Sequence, residues 1–483
     1  MQIILLLTVI LFRLTSYAQT AKDVRLAIKT MATDKELKNA SISFYALDLD
    51  SGKVISGYGS NKSLVPASTM KLITTATVLE LLGAKKTLKT SIRYSGSIDS
   101  NHILNGNIYI KGGGDPALGS KRYKKHYGNF INKWAKEIVA LGIDSINGRV
   151  IANASIFSNQ MIPSTWIWGD LGNYYGAGPS GLSVYENICY LEIKSGNKGD
   201  STQITCVTPY IPNLTFDNQV KSMRTNKDLS YIFGAPYQDN RIIKGGIPIK
   251  RSSFTVKGSI PDPAYLTAFE LDMELRNLGL KISNTATTLN KSNNKQEEKT
   301  VLISTLNSPQ IKSLVKQTNT YSINLYAEHF INLIGLKKYK SGDTGSGTQA
   351  VLEFWKKTGM DVEGLYINDG SGLSRFNGVT ARQLVSVLTY MKDSKNASYF
   401  INSLPVAGKT GTLKSIGKGS AAYGKIRAKS GYMTRVRSYA GYVTTKNNKT
   451  IAFALIVNNY NCSAYQMKKK MEQVMIKLAE IEK

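Results

Sequence analysis

The chain has 483 residues, 42% of them hydrophobic, and carries 62 Lys+Arg against 33 Asp+Glu, a net charge of +29. That length allows about three domains with sizeable cores and excludes a low-complexity or disordered protein. The basic residues are spread evenly with no aromatic-interleaved basic run, so no nucleic acid is expected as a partner.

The first apolar run, IILLLTVILF at 3–12, is too short for the ~20 residues a bilayer demands. Ser16-Tyr17-Ala18 follows it and suits cleavage before Gln19. Residues 1–18 therefore read as a signal peptide, and the protein as exported to the periplasm or cell envelope. No Cys stands at the cleavage point to carry a lipid. The basic surface of an exported protein either associates non-specifically with anionic membrane or a wall polymer, or serves solubility alone.

Residues 20–33 pattern as an amphipathic helix. SISFYALDLDSGKVISGYG then alternates and turns at Asp50-Ser51-Gly52, a hairpin signal. Pro66 precedes a run at helical spacing that stops at Gly83. From about 88 to 300, short alternating segments are separated by Gly, Asn and Asp turns, with helices expected at 123–141 and 262–279. Cys189 and Cys206 flank YLEIKSGNKGDSTQIT, two strand-like runs about a Gly-containing turn. They could face each other and form a disulfide after export, although two separate buried thiols is the preferred reading. With no CxxC and no His/Cys cluster, no metal is expected, and only three histidines make a Ser-His-Asp triad awkward.

The tract NKSNNKQEEKT at 290–300 reads as a surface connection, after which helical spacing returns. The C-terminal segments GKIRAKSG, RSYAGYVTT and TIAFALIVNN alternate as strands. A closing helix puts Met467, Met471, Val474, Leu478 and Ile481 on one face, for packing on a sheet. The pattern is α/β (α+β): one domain, 19–90 with 300–483, interrupted by a β-rich insertion of one or two subdomains at 91–299.

Three short motifs carry chemistry. Ser68-Thr69-Met70-Lys71 opens a helix, where residues three apart share a face and an amine can reach a hydroxyl. Ser322-Ile323-Asn324 is a hydroxyl and amide pair near a helix start. A Lys-(Thr/Ser)-Gly triplet occurs twice, as Lys409-Thr410-Gly411 and Lys429-Ser430-Gly431. Each motif alone is weak. Their joint occurrence in this order is specific.

Together they resemble the penicillin-binding proteins and serine β-lactamases. The long gap from Ser68 to Ser322 narrows the resemblance, as do IKGGGDPALGS at 110–120, WIWGDLGNYYGAGPSGLSVYEN at 166–187 and NDGSGLSRFNGVT at 368–380. The chain is similar to the low-molecular-mass class C penicillin-binding proteins, the D-alanyl-D-alanine carboxypeptidase/endopeptidase family. That resemblance implies an antiparallel sheet between helices and a cofactor-free serine peptidase acting on peptidoglycan stem peptides, with β-lactams as covalent inhibitors. It assigns Ser68 as nucleophile and Lys71 as proton acceptor, made neutral by the nearby charge of Lys429. Ser322 relays a proton, Asn324 holds the substrate amide, and Lys429 with Ser430 binds the terminal carboxylate. Gly431 belongs to the same motif, and the backbone N–H groups of Ser68 and Tyr432 form an oxyanion hole. Asp170 and Arg375, with Tyr175 beside them, stand where relatives recognise a diaminopimelate side chain; the alternative is that Asp170 caps a turn and Arg375 pairs locally.

Position 430 is Ser where Thr is commoner, which keeps the hydroxyl. His329 reads as a core or rim residue. The Lys429 copy lies in an alternating segment and is the expected catalytic one, whereas Lys409 follows Leu404-Pro405 and lies in a turn. A β-lactamase would share the acylation residues, but the large insertion argues against it. A catalytically silent wall-binding scaffold would not need every motif residue.

Overall fold

The computed structural model describes residues 21–292 and 298–482. The expected signal peptide and the middle of the polar tract at 290–300 lie outside them.

A five-stranded antiparallel sheet is assembled from both ends of the chain, in the order Ile426–Met433, Val436–Thr444, Thr450–Asn458, Ser41–Asp48, Val54–Tyr58. Alternation along its central strand divides two cores. Phe453, Leu455 and Val457 join Phe44 beneath the terminal helices Ala21–Ala32 and Ala464–Ala479, where Val24, Ile28, Met467 and Met471 are buried. The expected Met/Leu stripe of the closing helix is thus spent on the sheet. On the opposite face Ala440, Ala452, Ala454 and Ile456 meet a helical layer. The three alanines let helices approach closely.

At the centre of that layer is Lys71–Leu82, in which every residue from Lys71 to Leu79 is buried. A helix enclosed on all sides needs its polar groups satisfied internally. Thr75 and Thr77 donate to the carbonyls of Lys71 and Ile73 at 2.6 and 2.8 Å, and Thr74 donates to Gly370 O at 2.7 Å. Helices Ile311–Tyr321, Asn324–Tyr339, Thr344–Lys357 and Ala381–Asp393 complete the layer.

Residues between the two halves of this unit form four further sheets and two long helices, Phe130–Val139 and Pro263–Asn277. The strand leaving the first half, Lys89–Ser95, pairs antiparallel with the returning strand Thr300–Asn307. Two local expectations are corrected. The helix expected at 123–141 is broken at Gly128, whose φ of +58° stops one short helix before Asn129 caps the next. The Cys189–Cys206 hairpin forms, but its register sets Cys206 opposite Glu192, and both thiols are free. Cys189 is buried and Cys206 is exposed, so the reading of two buried thiols holds for Cys189 alone.

Candidate active site

Pro66 leads into a 3-10 turn, Ala67–Met70, that runs directly into Lys71–Leu82. Side chains three apart eclipse on such a turn, and Lys71 Nζ lies 2.9 Å from Ser68 Oγ. The turn is strained, because Ala67 has φ +47°. Gly372 packs against it so closely that a Cβ there would overlap the Ala67 carbonyl oxygen.

Lys71 is fully buried. Besides Ser68, its Nζ has Asn324 Oδ1 at 2.7 Å and the Ser371 carbonyl oxygen at 2.6 Å. Burial lowers its pKa from 10.5 to about 7, against the charges of Asp369 and Glu328, which raise it. A neutral amine has two N–H donors and one lone pair. Donation to Asn324 and Ser371 leaves that lone pair for the Ser68 hydroxyl proton.

Ser322 ends the helix Ile311–Tyr321 in a left-handed conformation, φ +61°, and Asn324 starts the next helix. This two-residue turn brings both side chains to one site. Asn324 Nδ2 donates to the Tyr175 carbonyl at 2.7 Å, so its amide is oriented from both ends. Lys429, fully buried on the edge strand Ile426–Met433, donates to Ser322 Oγ and to Ser430 O, each at 2.8 Å. Its pKa is held well below 10.5 by burial first and then by the charge of Lys71. The anticipated repulsion between the two lysines therefore acts on Lys429, while Lys71 is depressed chiefly by burial.

Gly431 explains how the edge strand meets Ser68. A Cβ at this position would lie 2.9 Å from Ser68 N and 2.7 Å from Pro66 O, and would overlap Ser438 Oγ. Only glycine permits that approach. Tyr432, 57% exposed, stands at the rim. The second triplet lies in a turn, as expected, with Lys409 Nζ 5.4 Å from the Tyr423 ring centroid. Its neighbour Thr412 nevertheless reaches the site, accepting a 2.7 Å hydrogen bond from Ser430 Oγ.

Asp170 and Tyr175 come together through a 3.2 Å hydrogen bond from Tyr175 OH. Burial raises the Asp170 pKa, opposed by that bond and by the charge of Arg375, which is exposed nearby. Among the described residues, the hydrogen-bond partner of the carboxylate is the tyrosine.

Three contributors escaped sequence reasoning. Glu328, one helical turn beyond Asn324 and fully buried, accepts from Gly370 N at 3.0 Å and Ser371 N at 2.8 Å. Burial, then the charge of Asp369, raises its pKa to about 8. Asp369 accepts from Gly372 N, Ser374 N, Asn377 Nδ2 and Trp166 Nε1 at 2.6–2.8 Å. These carboxylates brace the Gly-rich turn whose Ser371 carbonyl holds Lys71. The available signals were the Asp in NDGSGLS and the i+4 spacing of Glu328 from Asn324. Thr412 was the third. His329 is a core residue, fully buried between Gly114 O and Ser183 Oγ at 2.9 Å each, and burial lowers its pKa to about 4. Among the described residues no His/Cys/Asp/Glu cluster suits a metal.

Comparison with known proteins places the chain in a family. The D-alanyl-D-alanine carboxypeptidase DacB of Haemophilus influenzae is 24% identical over 91% of this chain and 89% of its own. The D-alanyl-D-alanine carboxypeptidase of Actinomadura sp. is 25% identical over 91% and 81%. Penicillin binding protein 4 from H. influenzae superposes with a TM-score of 0.78 over 95% of this chain and 97% of that one, at 23% identity, which establishes the mixed α/β fold. The match to the D-Ala-D-Ala carboxypeptidase 3 (S13) family runs from residue 24 to residue 481, through the Ser68 turn and on past the edge strand, and the chain belongs to that family of serine D-Ala-D-Ala carboxypeptidases.

Proposed function

We propose that the protein is an exported D-alanyl-D-alanine carboxypeptidase of the cell envelope, acting on peptidoglycan stem peptides through an acyl-enzyme on Ser68, with cleavage of cross-links as a second activity of the same site. The observation that carries this reading is the environment of Lys71, whose amine has a lone pair left for one hydroxyl, that of Ser68.

Ser68 Oγ attacks the carbonyl carbon of the penultimate D-Ala as its proton passes to Lys71 Nζ. Backbone N–H groups of Ser68 and Tyr432 receive the oxyanion, each such donor being worth about 3 kcal/mol. Lys429 donates to one lone pair of Ser322 Oγ, which turns the Ser322 hydroxyl toward the leaving D-Ala nitrogen. Lys429 and Ser430 hold the terminal carboxylate. Asn324 keeps one N–H and one lone pair for the substrate amide, because Tyr175 O and Lys71 Nζ use only the others. Water then hydrolyses the acyl-enzyme. Asp170 and Arg375 receive the amine and carboxylate of a diamino acid in the stem, an arrangement suited to Arg–carboxylate pairing.

β-Lactams enter as covalent inhibitors of Ser68; a solved structure of the H. influenzae relative is complexed with a novel β-lactam. The layout proposed for this activity is a catalytic domain from 19–90 and 300–483 and an insertion from 91–299, with the chain crossing between them at the paired strands Lys89–Ser95 and Thr300–Asn307. A net charge of +29 supports attraction to anionic membrane or wall polymer.

The test combines a fluorescent penicillin with pentapeptide muropeptides. A stable label abolished by Ser68→Ala, together with D-Ala release, is the expected result. Rapid penicillin turnover without D-Ala release would make the protein a β-lactamase, and neither label nor release would overturn the enzymatic reading.

A further inference from the structure

A cavity of about 540 Å³ has Lys121, Arg122, Tyr185, Glu186 and Tyr190 in its wall. Glu186 is nearly buried and fully engaged, accepting from Ser120 Oγ at 2.5 Å and Tyr326 OH at 2.9 Å, with Arg122 Nε 3.2 Å away. Arg122 stacks its guanidinium 4.8 Å from the Tyr321 ring centroid. Its two terminal nitrogens have no acceptor among the described residues. Lys121 Nζ sits 4.0 Å from the Tyr190 ring centroid, again with no carboxylate partner among the described residues. Two cations thus face one buried carboxylate, and the cavity is left with one positive charge and several unspent donors.

The wall is built at a conformational cost. Tyr185, Glu186 and Asn187 are consecutive left-handed residues, with φ of +54°, +58° and +51°. Such conformations persist where surrounding contacts over-determine them, and they concentrate at functional sites. Here Tyr185 OH donates to Glu270 at 2.6 Å, and Asn187 Nδ2 donates to Gly178 O and Ser183 Oγ at 2.9 and 3.0 Å. Gly119 adds space, since a Cβ there would come within 2.7 Å of the Tyr185 ring.

Two lining residues contact elements that carry the motif residues. Tyr321, under Arg122, directly precedes Ser322. Tyr326, bonded to Glu186, lies on the helix that Asn324 begins.

We infer that this cavity is a second binding site, taking a peptide carboxylate remote from the scissile bond of the stem-peptide substrate. The inference rests on the peptidase reading above. A single net charge suits a monoanion, and the fork of Arg122 suits a carboxylate. The tyrosine walls take the apolar part of the chain that bears it.

Two peptides ending in D-Ala-D-Ala are compared, one with an internal free carboxylate and one with that group amidated. With the native protein the amidated peptide has the higher KM. Lys121→Met keeps the apolar stem and removes the charge. It raises KM for the carboxylate peptide about tenfold, the loss of a charge-assisted contact, without changing kcat. It leaves the amidated peptide and penicillin labelling unchanged. Arg122→Lys, which keeps charge but loses the fork, has a smaller effect in the same direction. Equal effects on both peptides, or none, would overturn the assignment.

Equilibrium binding of the same two peptides to Ser68→Ala separates this from the peptidase reading. If the native protein releases no D-Ala from either peptide, the peptidase reading falls, and binding still decides the cavity. Affinity that needs both Lys121 and the free carboxylate supports the site; affinity indifferent to either overturns it. Inorganic phosphate as competitor completes the test. Displacement of the peptide only at concentrations far above the peptide's supports a carboxylate site, and displacement at equal concentration assigns the cavity to phosphate instead.

Discussion

Lys409 and Lys429 head triplets of the same form, and only their surroundings tell them apart. Lys429 is fully buried with its amine on Ser322, whereas Lys409 lies in a turn against Tyr423. Lys429→Ala is expected to abolish labelling by fluorescent penicillin, and Lys409→Ala to keep most of it; the reverse result would reassign the motif. Lys71 makes a second prediction. With its pKa near 7 the amine is mostly protonated at pH 6 and mostly neutral at pH 8. Only the neutral form accepts a proton from Ser68, so the acylation rate should climb through pH 7 and then level off. With its own pKa raised to about 8, Glu328 is mostly protonated through pH 7, so Glu328→Gln, which mimics the protonated acid, should leave the acidic limb of the profile close to its native place. A limb that moves down by about a pH unit or more would show that Glu328 is ionised there and holds Lys71 in its ammonium form. Ser68, Lys71, Ser322, Asn324 and Lys429 were all legible in the sequence, because each sits in a short pattern with its own spacing. Glu328 and Thr412 were not, because their partners lie elsewhere in the chain, and Asp369 was not, because the burial that gives it its effect has no local signature.

At the level of elements, the site is a meeting of three backbone turns and one strand edge. The 3-10 turn at Ala67–Met70, the left-handed turn at Ser322 and the Gly-rich turn after Asp369 are each short enough to read from sequence as breaks. What brings them together is close backbone approach, made possible by glycines. Gly431→Ala should push the edge strand away from Ser68 N and Pro66 O, displacing one oxyanion donor. Acylation by penicillin is expected to fall about 100-fold or more, the usual effect of losing such a donor. The thermal midpoint should drop by only a few degrees, because an edge strand can shift with little loss of core. A large fall in midpoint with the remaining folded protein labelling normally would show that Gly431 serves packing alone. Helices and strands with strong periodicity were foreseen at nearly their observed places. The errors were local: Gly128 broke a helix whose apolar spacing continued past it, and the hairpin register set Cys206 opposite Glu192, away from Cys189.

Across the whole molecule, one segment ties distant sheets to Asn324. Ser259 Oγ donates to Leu171 O at 2.8 Å, and the buried Arg241 donates to Ser259 O at 2.7 Å. Next to them Asn173, itself buried, exchanges bonds with the backbone of Ile232, its Nδ2 donating to Ile232 O at 3.2 Å and its Oδ1 accepting from Ile232 N at 3.1 Å. The same segment carries Asp170 and delivers the Tyr175 carbonyl to Asn324. The sequence placed Asp170 and Tyr175 in one stretch but held no sign that a strand some 60 residues later pins them, which only the packed sheets reveal. Asn173→Ala would strand both backbone groups of Ile232 in a buried site, at a cost of about 1–3 kcal/mol each if no water replaces the amide. The segment then loosens from the far sheets while Asn324 keeps its bond to Lys71. D-Ala release from a diamino acid-containing peptide should weaken about tenfold through KM, since Asp170 loses its fixed position relative to Arg375. Penicillin, which carries no diamino acid, should acylate Ser68 within about twofold of the native rate if Lys71 alone suffices to orient Asn324. Parallel losses in both assays would mean that the segment acts on Asn324 itself, and the contribution of the distant sheets would then be to the chemistry of every acyl donor rather than to the choice of peptide.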